Sequence, residues 1–499
     1  MLVRLRGITK RFGRVNALHE VDLNLTSGEV LVLAGENGAG KTTLMNVLAG
    51  IYRPDAGAIE IDGRPADIRS PGDAVRRGVA MVHQHFQLVP TMSTFDNVLL
   101  AGGPRSGLPR RERRARLGQL AARYAVGLDL DQPVGRLPVG LQQKAEVLRA
   151  LDLEARVLVL DEPTTHLTPQ EVDALFPVLR ELAGGGSSVV LITHKVGEML
   201  AVGDRIAVMR QGRLTASLSR EEASRERVVE LLMGERVAPK PTSAADPATV
   251  TPGSPVLELR DLRTAPPGQA LDGCSLVVRS GEIVGLAGVT GNGQRELAEA
   301  VMALRTAGGE VRVAGRQVPA RVAARIRAGV AYVPEDRLTE GLLPAAPLRE
   351  SVFLGLHQLR PGWALDRREM ERLARRAIED YRVAAAGPRV PSATLSGGNI
   401  QKLLIARAMA MAEARDQSVL IALNPARGLD VATIGLVYDR LRALRASGRG
   451  VLLISEDLDE LMALADRILV IYRGHLAGEF SKDAFNRYQI GAVMAGAAA

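Results

Sequence analysis

Residues 35–43 read Gly-Glu-Asn-Gly-Ala-Gly-Lys-Thr-Thr, a spacing of glycines, lysine and hydroxyls suited to holding phosphate. Glycines let consecutive backbone N–H groups close on phosphate oxygens, Lys41 reaches the terminal phosphates, and Thr42 offers a hydroxyl to Mg²⁺. Asp161 and Glu162 end the apolar run Val157-Leu158-Val159-Leu160. One carboxylate there can hold the shell of Mg²⁺ while the next polarises an attacking water. His194 follows Leu191-Ile192-Thr193 and adds a titratable ring at a strand end, where α/β sheets place ligand groups. Residue types in this pattern point to a nucleoside triphosphate site.

These groups need a scaffold. The apolar run Glu29 to Ala34 before the glycine loop and Leu44-Met45-Asn46-Val47-Leu48 after it predict strand, loop and helix, with phosphate at the helix N-terminus. An isolated glycine turn requires neither flank. Further buried strands are expected at Val79 to Val82, Val157 to Leu160, Val189 to Ile192 and Ile206 to Met209. Alternating with helical segments, they predict an α/β fold with a largely parallel sheet. Between residues 95 and 150 the strand pattern fades, and the Arg-rich run Arg110 to Leu117 suggests a helical insertion with a solvated arginine face. Residues 365–412 repeat that pattern.

The 499 residues carry 46% apolar, 24% charged and 3% aromatic side chains with a net charge of +8. The balance suits a globular chain, and so few aromatics leave little stacking surface for nucleic acid, which is not expected as a partner. Cys274 is the only cysteine, which excludes an intramolecular disulfide and fits a reducing compartment. Charges interrupt the N-terminal segment, and no run of eighteen apolar residues follows, so the chain is not expected to cross a membrane by itself. His83 and His85, two apart on an expected strand, share a face but have no third metal ligand nearby and are read as structural.

The chain also repeats itself. Residues 28–44, GEVLVLAGENGAGKTTL, align without a gap to residues 281–297, GEIVGLAGVTGNGQREL, and VLVLDEPTTHLT from Val157 matches VLIALNPARGLD from Val419. This implies two copies of a domain of about 250 residues. We expect domains at residues 1–237 and 256–499, joined by a Pro-, Ala-, Ser- and Thr-rich linker at 238–255.

Together with Leu395-Ser396-Gly397-Gly398-Asn399, these motifs resemble the nucleotide-binding subunits of ABC transporters over essentially the whole chain outside the linker. The resemblance implies two P-loop ATPase cassettes, each a RecA-like parallel core with an antiparallel β edge and a helical insertion. It makes Gly35, Asn37, Gly38, Gly40, Lys41, Thr42 and Thr43 the Walker A site, Asp161 and Glu162 Walker B and the catalytic base, and His194 the switch histidine. Gln84 becomes the Q-loop glutamine, catalytic and in reach of Mg²⁺, and Phe12 the adenine-stacking aromatic. ATP and Mg²⁺ follow as cofactors. Twin cassettes of this layout resemble the ATPases of simple-sugar and nucleoside importers, and MVHQHFQLVP, GVTGNGQRELAEA, AYVPEDRL and LISEDLDEL look more like the nucleoside branch than the ribose branch. The implied partners are two membrane permeases, docking near Gln84 to Val98 and Glu335 to Val352, and indirectly an extracytoplasmic solute-binding lipoprotein. The implied location is the cytoplasmic face of the cell membrane. The alternative is a soluble twin-cassette factor acting on ribosomes or nucleic acid. Such factors usually keep both ATP sites and carry a long charged helical linker.

In that family two cassettes meet head to tail, and each ATP lies between the Walker motifs of one and the signature loop of the other. Copy two has Gln294 at the lysine position and Arg295 and Glu296 at the hydroxyl positions. Leu423 and Asn424 stand at Walker B, Glu335 at the Q-loop and Glu456 at the switch. Copy one has Leu137-Pro138-Val139-Gly140-Leu141 as its signature. Pro138 lacks both a hydroxyl and a backbone N–H, and the Leu141 side chain makes no hydrogen bond. Ile400 also replaces a commoner glutamine. The intact Walker set thus pairs with the intact signature, and the altered set with the altered one. One working pocket is expected, with the second binding nucleotide weakly and not hydrolysing it, in a sandwich formed within one chain or between two.

Overall fold

Unbroken runs such as Val30-Leu31-Val32-Leu33 leave no polar face for water and form strands covered on both sides. In the computed structural model, which describes residues 3–497 except 14, 36–37, 84–85, 103–106, 124–126, 138, 166, 234–251, 361–364, 428 and 430, Val30 to Ala34 are at most 1% exposed. Each such Val or Leu contributes about 1.5–3 kcal/mol by its burial, so the strand ahead of the glycine loop is firmly anchored. The chain divides into two units, Met1–Lys240 and Pro241–Ala499.

The first unit runs β1 (Val3–Phe12), β2 (Val15–Leu25), β3 (Val30–Gly35), α1 (Lys41–Leu48), β4 (Ala56–Ile61), β5 (Arg64–Pro65), α2 (Pro71–Arg76) and β6 (Val79–Val82). A helical stretch follows, with α3 (Thr94–Leu100), α4 (Arg110–Arg123) and α5 (Val139–Asp152). The chain then returns through β7 (Val157–Asp161), α6 (Pro169–Gly184), β8 (Ser188–Ile192), α7 (Val196–Val202), β9 (Arg205–Arg210), β10 (Arg213–Ser219) and α8 (Arg225–Met233). One sheet has the antiparallel order β2-β1-β4-β5; the other has the order β10-β9-β3-β8-β7-β6, parallel except for β10.

The second unit repeats this plan with β11 (Pro255–Thr264), β12 (Cys274–Arg279), β13 (Ile283–Ala287), α9 (Gln294–Val301), β14 (Ala307–Val313), β15 (Arg316–Gln317), α10 (Val322–Ala328) and β16 (Val330–Val333). Its helical stretch holds α11 (Leu348–Phe353), α12 (Arg367–Asp380) and α13 (Gly397–Glu413). It closes with β17 (Val419–Leu423), α14 (Val431–Ala446), β18 (Gly450–Ser455), α15 (Leu458–Leu464), β19 (Arg467–Tyr472), β20 (His475–Ser481) and α16 (Arg487–Met494). The larger sheet, β16-β17-β18-β13-β19-β20, is the first unit's order read from the other edge.

Register places the site. Ile192 pairs with Leu33 on one side and Asp161 on the other, so the loops after β3, β7 and β8 leave the same carboxyl edge. Ile454 pairs likewise with Leu286 and Leu423.

Three local expectations change. β6 stops at Val82, so His83 lies beyond the strand, and the alternation invoked for it and His85 does not apply; His85 is outside the described residues. β11 already includes Pro255, and Gly253 N–H bonds to the Ser280 carbonyl at 2.9 Å, so the last expected linker residues are tied into the second unit. The arginine run is largely exposed, but Arg113 is 5% exposed and pairs with Asp152 at 3.1 Å.

Candidate active site

The glycine loop of the first unit ends at Gly40, the N-cap of α1, with φ 99° and ψ 2°. A Cβ there would lie 2.6 Å from the Ala17 carbonyl oxygen, so glycine is required by both sterics and conformation. Lys41, 7% exposed, donates from Nζ to the Gly35 carbonyl at 2.8 Å. The ammonium therefore lies along the loop where phosphate oxygens would replace that carbonyl. Thr42 Oγ1 donates to Asp161 Oδ2 at 2.8 Å, although 119 residues separate them. A hydroxyl facing a carboxylate is an all-oxygen pair that fits Mg²⁺, which takes few protein ligands and fills its shell with water and phosphate. Thr43 is half-buried on α1, and Gly38 also has positive φ, 82°. Asn37, Gln84 and Pro138 lie outside the described residues.

Glu162 has φ 50° and donates its N–H to the Ile192 carbonyl at 2.9 Å. This turns its side chain toward His194, whose Nδ1 lies 3.1 Å from Glu162 Oε1. Burial pushes the Glu162 carboxyl upward, but the hydrogen bond and charge of His194, together with Lys41 and Lys195, outweigh it and hold the group below the ordinary carboxylate range. Glu162 is thus ionised at neutral pH and oriented, as a base acting on water must be. Phe12 is 43% exposed at the end of β1. Tyr52 packs edge-on against it at 5.1 Å, and Lys10 Nζ stands 5.7 Å from its centroid. This fixes the ring while leaving it open for stacking.

The same backbone carries different chemistry in the second unit. Gly293 caps α9 with φ 114°, and Asn424 has φ 47° with its N–H on the Ile454 carbonyl at 2.8 Å. Gln294 closes the loop on itself: Oε1 accepts the Asn292 N–H at 3.1 Å and Nε2 donates to the Val289 carbonyl at 3.0 Å. Thr290 Oγ1 donates to Glu456 Oε1 at 2.5 Å. Asn424, following the buried Leu423, donates from Nδ2 to Glu335 at 3.1 Å and accepts the Glu456 N–H at 3.2 Å. Arg295 pairs with Glu299 at 2.6 Å and also with Glu340. Arg427 reaches Glu335 at 2.5 Å, so the negative charge expected of Glu335 is partly offset by a neighbour that sequence reasoning missed.

The family profile described as "ABC transporter" matches residues 18–165 and 271–421, one span in each unit. The chain belongs to the ABC transporter family. It is 36% identical to the nucleoside import ATP-binding protein NupA of Lactococcus lactis subsp. cremoris, over 99% of this chain and 98% of that one. It is 39% identical to the glucose import ATP-binding protein TsgD13 of Haloferax volcanii, over 99% and 96%. The solved archaeal ribosome recycling factor aABCE1, in complex with the ribosomal stalk protein aP1, shares the fold with a TM-score of 0.64 at 17% identity, over 97% of this chain and 92% of that one. The ABC chain is an ATPase that binds ATP.

In this ATPase, Ser396 is the N-cap of α13. Its Oγ accepts from Asn399 Nδ2 at 2.8 Å and makes no cap bond to a backbone amide. Ser396 and Gly397 are exposed and Gly398 half-buried; amides at a helix start have no partner within the helix. Leu141 is half-buried on α5. Sequence reasoning missed the support for His194. Thr193 Oγ1 donates to Glu198 at 2.7 Å, and Lys195 Nζ pairs with Glu198 at 3.4 Å, bracing the turn that carries the histidine. The repeat held the signal, because Ser455 and Glu460 form the same bond at 2.6 Å.

Proposed function

We propose that this ABC ATPase powers an importer, hydrolysing ATP at one composite site. In this reading Phe12 stacks the adenine, while Lys41 and the loop amides take the phosphates. Thr42, Asp161 and Gln84 would hold Mg²⁺, which would supply positive charge against the phosphates. Glu162, held by His194, orients the water and receives its proton, and Ser396, Gly397 and Gly398, of the same chain or of a second copy, complete the pocket. The observation that carries the reading is the contrast in residue type: Lys41, Thr42, Asp161, Glu162 and His194 are matched by Gln294, Arg295, Leu423, Asn424 and Glu456. The bonds of Gln294 to its own loop and of Thr290 to Glu456 support a site that does not hydrolyse.

Import is supported by the two full-length relatives, whose names specify nucleoside and glucose import; the solute is a nucleoside or a simple sugar. The partners are two permease subunits, docked near Gln84 to Val98 and Glu335 to Val352, with a solute-binding lipoprotein outside. The names of those relatives support a peripheral position on the cytoplasmic face of the membrane; no helix among the described residues is long and apolar enough to cross one. The domains of the working enzyme are residues 1–237 and the segment from Gly253 onward, since Gly253 already bonds to the second unit.

Glu162→Gln tests the base. Loss of a positioned general base lowers kcat by about 10²–10⁴-fold, with ATP binding retained. Turnover above a tenth of wild type removes Glu162 from that role. Salt-resistant copurification with permeases rather than ribosomes tests the importer reading.

A further inference from the structure

A cavity of about 410 Å³ opens in the second unit between the antiparallel sheet, the end of α9 and α10. Its size falls within the ~300–1,000 Å³ of small-molecule sites. Leu262, Ala300, Val311 and Val318 form apolar walls, and Gln317 adds an amide.

Arg325, on α10, also lines it and is only 4% exposed. Nη1 donates to the Val311 carbonyl at 3.2 Å, while Nε is buried with no hydrogen-bond partner. Among the described residues no carboxylate forms an ion pair with it, and burial alone lowers its pKa, with no charge opposing the shift. Arg305 lines the same cavity, but Glu299 takes its charge at 2.8 Å and the Pro267 carbonyl its Nη1 at 2.6 Å. A buried guanidinium in the wall of this cavity, with one carbonyl partner, lacks the compensation that buried charges require. The first unit does without this charge. Counting back from the glycine before β6 and before β16, the position of Arg325 corresponds to Ala74, buried at 2%.

We infer that Arg325 and this cavity form a binding site for a compact organic anion, with one carboxylate or phosphate on the guanidinium and a short apolar body against Leu262, Val311 and Val318. The site is separate from the phosphate loop at Gly288 to Gln294, since none of those residues lines the cavity.

Calorimetric titration of the full chain with butyrate, glycerol 3-phosphate and inorganic phosphate, at fixed ionic strength against chloride, tests this. At least one organic probe should saturate at one per chain, bind at least tenfold more weakly to Arg325→Met, and bind Lys41→Ala as it binds wild type. Ala307→Leu, which narrows the cavity and keeps the charge, should also weaken binding, and it decides the matter if Arg325→Met does not fold. No saturation by any organic probe overturns the site, as does undiminished binding by the folded Arg325 variant or loss of binding in Lys41→Ala.

Discussion

Glu162 combines a backbone that non-glycine residues adopt at a cost of about 1–3 kcal/mol with a side chain 3.1 Å from His194. Because its carboxyl is held below the usual 4.5, the ionised form is present through neutral pH, and the acid limb of kcat should lie below that value. In His194→Ala the burial contribution loses its main opponent and the pKa rises, so the limb should move upward in a pH–rate profile as overall turnover falls. An unmoved limb would mean that His194 does not tune Glu162. In the second unit Asn424 adopts the same φ region, which asparagine tolerates.

One buried ion pair joins two helices of the first unit. Arg113 on α4 and Asp152 on α5 are each 6% exposed in their side chains, and a partner left alone in such a place costs about 3–5 kcal/mol. Arg113→Ala should therefore lower unfolding stability by about that amount in urea titration, whereas Arg113→Met with Asp152→Leu should cost much less. The turns after β8 and β18 offer a second comparison. Lys195 accompanies Glu198 in the first unit; Asp457 stands at that place in the second, and burial first, then Asp457, pushes Glu460 up to about 8 despite its bond to Ser455. A carboxyl with a raised folded pKa stabilises fully below its unfolded value and loses that contribution as pH rises through the folded one. Stability should thus decline between about 4.5 and 8, and Glu460→Gln should flatten that slope in melts taken across the range.

For the chain as a whole, the prediction is one tight nucleotide and one turnover site. Equilibrium binding of a nonhydrolysable ATP analogue should saturate tightly at one per chain; two tight sites would overturn the reading. Asn424→Glu should not create a second hydrolytic site, because Gln294 and Pro138 remain. It sets a second carboxylate beside that of Glu335, and should destabilise the protein by between about 1 and 4 kcal/mol, the range for like charges near 4 Å at a protein surface. Paired melts and ATPase assays read both effects.

The Walker residues, the repeat and the buried strands were legible in the sequence, because phosphate chemistry needs fixed residue types at short spacing and fully buried strands need unbroken apolar runs. Sequence determined that Lys41 and Thr42 have no counterparts of the same type at 294 and 295. Only tertiary structure decided that Glu162 meets His194, that Gln294 folds onto its own loop, that Arg113 leaves the solvated face, and that Arg325 borders a cavity without a counter-charge. Such contacts depend on strand register and on which side chains fill the space between elements, and neither is written in a local pattern.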